Sequence, residues 1–124
     1  MVFVNEIAAI CHKDVYDHLG SPNKNIGDAF LLVWKFSQDD VRYIKGENKG
    51  DTDTLELIPS SRVSQMADLA VLSLVKMTAT ITRSETLQKY KENRGLQSRI
   101  SNYMGPKMGF GLHVGWAIEG PIGS

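Results

Sequence analysis

Three side chains stand where they could do chemistry: an acid at a turn, a lysine four residues ahead of it, and a histidine among glycines. The first two lie in Asn23-Lys24-Asn25-Ile26-Gly27-Asp28, just before the apolar run Ala29 to Trp34. Gly-Asp between two extended runs is hairpin chemistry. Gly27 supplies the unusual backbone angle of a type II′ turn, and Asp28 is a tolerated second residue. An acid at such a tip also suits Mg²⁺, which takes one or two carboxylates together with substrate phosphates. Lys24 reads either as a charged guard on an edge strand or as a donor to a base or phosphate near the turn. His113 alternates with small residues close to the C-terminus. A metal needs partner ligands, so a packed or hydrogen-bonded side chain is its simpler reading. Asp14 and His18 have helical i, i+4 spacing, which a solvated face explains. Cys11 falls on an apolar stripe and reads as a small core side chain. There is no nucleophile elbow, no phosphate-binding glycine loop and no pair of cysteines.

The elements that must position these groups follow from periodicity. Phe3, Ile7, Ile10, Cys11, Val15 and Leu19 recur at three- and four-residue steps, which predicts an amphipathic helix over 2–19. Gly20 and Pro22 stop it. Asn23–Ile26 is expected to pair, across Gly27-Asp28, with a strand over 29–36 buried on both faces. Residues 37–61 are charged and glycine-containing and read as a solvated loop or insertion, with one possible short strand at Val41–Ile44. Pro59-Ser60-Ser61 opens a second helix reaching about Thr82. Short helices are expected over 84–100, broken by Gly105-Pro106. The last element, 108–120, alternates cleanly. Phe110, Leu112, Val114, Trp116 and Ile118 fall on one face, and Gly109, Gly111, His113, Gly115 and Ala117 on the other. That pattern predicts a strand packed on helices by one face and closely approached on its bare face. Trp34 and Trp116 read as core. The order helix, hairpin, helix, strand suits an α+β plan, an open sheet with helices on one face.

The 124 residues fit one domain with a sizeable core. Formal net charge is zero, which argues against a general nucleic-acid binder. A single cysteine excludes an intramolecular disulfide and fits a reducing, cytoplasmic location. No apolar run approaches the ~20 residues of a membrane span. The N-terminus lacks the basic lead of a signal peptide.

Two stretches together resemble a known family. "NKNIGDAFLLVWK" is similar to the hairpin of the class III adenylate/guanylate cyclase catalytic domain, Lys-x-Ile-Gly-Asp-x-Phe/Tyr followed by an apolar strand. "FGLHVGWAIEGPIGS" is similar to a later strand of the same family, Gly-x-His-x-Gly-x-x-x-x-Gly-x-Ile-Gly-Ser. The helix "VNEIAAICHKDVYDHLGSPNK" fits the segment leading into the hairpin. The likeness covers 1–36 and 62–124.

The resemblance implies a ferredoxin-like βαββαβ core, incomplete at both ends, that works as a homo- or heterodimer with a second cyclase domain. It implies conversion of ATP, or less readily GTP, to the 3′,5′-cyclic nucleotide and pyrophosphate with two Mg²⁺ or Mn²⁺ ions. By position, Asp28 matches a metal-binding aspartate and Ile26 and Gly27 its supporting turn. Lys24 matches the purine-contacting position, where lysine goes with adenine and glutamate with guanine. The other metal aspartate, in an Asp-x-x-x-Phe-Thr motif, is expected ahead of residue 1. The transition-state pair Asn-x-x-x-Arg is expected beyond Ser124. No residue of the chain matches that pair, so residues 1–124 are expected to be a central fragment, inactive alone, of a parent that is either free in the cytoplasm or membrane-anchored. The alternative is a non-catalytic cyclase-like module used for dimerisation or regulation.

Overall fold

A computed structural model describes residues 2–92 and 107–121. Helix α1 spans Val2–Asp17, and a hairpin of β1 (Ser21–Ile26) and β2 (Ala29–Val33) follows it. A 3₁₀ turn at Gln38–Asp40 leads into a second hairpin, β3 (Val41–Ile44) and β4 (Thr54–Leu57). Helix α2 (Ser61–Arg83) and the short α3 (Glu85–Gln88) follow, with a 3₁₀ turn at Lys89–Glu92. The described residues form a small α+β fold with two separate two-stranded antiparallel sheets.

The core lies between α1 and α2. Cys11 and Val15 of α1 meet Met77 and Ile81 of α2, and Leu87 of α3 closes one end. The helices run antiparallel. Asp14 lies opposite Lys76 and Thr80, whereas Phe3, near the start of α1, packs edge-on against Tyr90 with ring centroids 5.0 Å apart. Helix α2 starts where the sequence places it because the Ser60 hydroxyl accepts the Val63 N–H at 3.1 Å, an N-cap worth about 1 kcal/mol.

The end of α1 differs from expectation in an instructive way. Gly20 was the expected stop, yet Leu19 takes the left-handed conformation, with φ +62°. The Gly20 N–H bonds to the Val15 carbonyl at 2.9 Å and the Leu19 N–H to that of Tyr16 at 3.3 Å, the pattern of a Schellman turn. Gly20 serves a different purpose. A Cβ there would lie 2.6 Å from Trp34 and 2.9 Å from Val15. Its missing side chain lets the Trp34 indole lie against the helix end, where Nε1 donates to the His18 carbonyl at 3.0 Å. Trp34 is thus core, as expected.

Three further expectations are corrected. Strand β2 is not buried on both faces. Phe30 and Leu32 turn toward the core cluster while Ala29 and Leu31 are exposed, because among the described residues β1 alone pairs with it and no second layer covers its outer side. Residues 37–61 are not a plain loop: 41–44 and 54–57 form a second hairpin, joined by the Arg42–Glu56 cross-strand ion pair. Residues 107–121 form no strand. Met108 and Phe110 reach the core, but Trp116 is 77% exposed and Ile118 93%. Among the described residues no atom lies within 4 Å of a Cβ built on Gly109 or Gly111, so no close approach to those two glycines is seen. Alternation supplies a pattern for a strand but not the neighbouring chain that would satisfy its backbone. The expected helices beyond Glu92 lie outside the described residues.

Candidate functional site

The first hairpin holds the two leading candidates. Ile26 pairs with Ala29, so Gly27 and Asp28 form a two-residue loop. Gly27 has φ +60° while Asp28 keeps a negative φ, the signature of the expected II′ turn. The strands are irregular upstream. Pro22 faces Leu32 and Lys24 faces Leu31, which leaves Asn23 as an extra, bulged residue. Proline, lacking an N–H, suits the start of such a bulge. The bulge re-aims the strand and puts Lys24 opposite Leu31, on the outer side and away from Phe30 and Leu32.

Lys24 and Asp28 are both exposed. Among the described residues no hydrogen bond or ion pair engages either side chain. Asp28 is therefore an exposed turn acid on a two-residue loop. One exposed carboxylate matches the one or two that Mg²⁺ draws from a protein, provided phosphate oxygens and a further ligand complete the shell. Among the described residues no three His, Cys, Asp or Glu side chains converge on one point. Asp28 thus offers a single carboxylate.

The hairpin is tied to the core on its inner side. The His12 ring stands edge-on to Phe30 at 6.5 Å between centroids, and Trp34 anchors the far end of β2. The Lys35–Glu119 ion pair at 2.6 Å brings residues 107–121 to the same end.

The remaining candidates fall apart. His113 is exposed rather than packed or hydrogen-bonded. Asp14 and His18 do not form a solvated side-chain pair. The His18 ring contacts the Asp14 backbone carbonyl at 2.6 Å, and Asp14 itself is only 4% exposed, with Lys76 at 3.9 Å and Thr80 at 3.4 Å. Cys11 is fully buried as expected. Burial, with a smaller contribution from the Asp14 charge, pushes its thiol up to about 11, so it is inert.

The sequence reading passed over Asp40. Its Oδ2 accepts the Ser37 N–H at 2.7 Å and hydroxyl at 2.9 Å, and Arg62 lies 3.3 Å away. The backbone bond from Ser37 chiefly, then its hydroxyl and the Arg62 charge, hold this carboxyl below the usual range. The signal was present: Ser37-x-x-Asp40 has the spacing of a reciprocal cap. This cluster fastens the base of the second hairpin to the start of α2.

No protein-family model, curated protein or solved structure matches the chain.

Proposed function

We propose that the chain is part of a class III nucleotide cyclase domain, with a ferredoxin-like core when complete, acting in the cytoplasm on ATP in preference to GTP. The observation that carries this reading is the II′ turn at Gly27-Asp28, which presents an unengaged carboxylate four residues from an unengaged lysine in the order Lys-x-Ile-Gly-Asp. In the reaction the ribose 3′-oxygen bonds to the α-phosphorus as the bond to pyrophosphate breaks. Two Mg²⁺ or Mn²⁺ ions, when bound, lower the pKa of the attacking hydroxyl and neutralise the triphosphate. Asp28 would supply one carboxylate to that pair, and Ile26 and Gly27 hold the bend on which it stands. Lys24 would donate to adenine. A guanine edge offers a donor there, so a lysine facing it leaves polar groups unpaired. A second cyclase domain would supply the rest of the site across a dimer interface.

The gene on either side of residues 1–124 separates this reading from its rival. An Asp-x-x-x-Phe-Thr motif ahead and an Asn-x-x-x-Arg motif behind support the enzyme. Absence of both favours the non-catalytic module. In a domain carrying both motifs, Lys24→Glu is expected to move preference from ATP toward GTP, and an unmoved ratio removes Lys24 from base recognition. Residues 1–124 alone are expected to form no cyclic nucleotide with Mg²⁺ or Mn²⁺, because a missing metal ligand and arginine remove several orders of magnitude in rate.

A further inference from the structure

The second hairpin has two unlike faces. On one, Arg42 and Glu56 face each other and close an ion pair, beside Ile44 and Thr54. On the other, Val41 pairs with Leu57 and Tyr43 with Leu55. The inner pair is half-buried, but Tyr43 is 62% and Leu55 55% exposed. A lone two-stranded hairpin with a bare apolar face is marginal in water. This one is nonetheless built to hold its shape. The Tyr43 hydroxyl donates to Asp53, Asp53 also takes the Gly46 N–H at 2.9 Å, and Asp51 takes the Asn48 N–H at 2.9 Å. At the base, the Ile58 N–H bonds to the Asp40 carbonyl at 2.8 Å, beside the Ser37–Asp40–Arg62 cluster. An exposed aromatic ring is thereby fixed in advance, which lowers the entropy lost when something covers it.

Charge says what kind of segment covers it. Between Ser37 and Arg62, whose guanidinium pairs with Asp40, the chain has six carboxylates against four cations, a net of −2. Two copies of the hairpin brought face to face would repel, so self-pairing is disfavoured. We propose that the β3–β4 hairpin is a docking arm for a partner protein's segment in which basic and apolar residues alternate. The apolar residues cover Tyr43 and Leu55, and the Lys or Arg residues meet the exposed carboxylates toward the hairpin tip, Glu47, Asp51 and Asp53. This proposal stands independently of the cyclase reading.

The test uses the full chain and a short fluorescein-labelled peptide of alternating Lys and Leu, read by anisotropy. Saturable binding is expected, absent from the Glu-Leu and Lys-Ser peptides of the same length. Leu55→Ser should weaken binding about tenfold. Ile44→Ser, an equal loss of apolar surface on the ion-paired face, should leave it within about twofold. No saturable binding, equal binding of the Lys-Ser peptide, an unchanged Leu55→Ser, or equal losses from the two variants overturns the proposal. If circular dichroism shows Leu55→Ser unfolded, the three-peptide comparison on the unaltered chain decides.

Discussion

Asp28 and Gly27 act as a unit at the level of single residues. The aspartate stands exposed at the hairpin tip because the glycine takes the left-handed angle for it. Gly27→Ala forces a side chain into that region and is expected to cost about 1 kcal/mol in a urea titration. Leu19 is the converse case, a side chain held where glycine is preferred. Leu19→Gly should therefore raise stability by about 0.5–1 kcal/mol, and a loss would mean that the leucine side chain contributes more packing than its exposure suggests. The turn was legible from Gly27-Asp28 alone, since few dipeptides fit a two-residue hairpin. The left-handed leucine was not. Gly20 looked like the helix stop, and only the position of Trp34, fourteen residues on, shows that the glycine is needed for close packing instead.

Among the elements, what could be read depended on whether local pattern or distant contact decides. Helices α1 and α2 were legible because three- and four-residue spacing and the Ser60 cap are local. The β3–β4 hairpin was half legible: Val41–Ile44 showed as a strand, but its partner Thr54–Leu57 was hidden within a charged stretch. Its pairing rests on cross-strand contacts such as Arg42–Glu56. Residues 107–121 show the opposite failure. Their alternation is as regular as a strand demands, yet no described chain pairs with them, and apolar side chains as large as Trp116 stand in solvent. The joint between α1 and the first hairpin rests on Gly20. Gly20→Ala drives a methyl into Trp34 and Val15 and is expected to destabilise by about 1–3 kcal/mol, with a changed Trp fluorescence spectrum reporting the displaced indole.

For the whole molecule, a core between two antiparallel helices holds the first hairpin, and a polar cluster at the start of α2 fastens the second. Met77 is fully buried at the centre of that core. Met77→Ala should cost about 2–5 kcal/mol and lower the midpoint of thermal unfolding accordingly. The second hairpin's fastening responds to acid. The Asp40 carboxyl is depressed in the folded state, so its contribution is present above the unfolded value near about pH 4 and is lost as pH falls through the folded one. Asp40→Asn should flatten the acid limb of the stability profile below about pH 4 and leave its shape near neutrality unchanged. A limb as steep as that of the unaltered chain would remove Asp40 from that role.

The proposed role of the Asp28 carboxylate is to grip a divalent cation beneath a nucleotide triphosphate. Its most direct test is Mn²⁺ added to the ¹⁵N-labelled chain with a non-hydrolysable ATP analogue, read as paramagnetic broadening of amide resonances. The account predicts broadening centred on Gly27 and Asp28 that disappears in Asp28→Ala. Broadening centred elsewhere, or indifferent to that substitution, contradicts it.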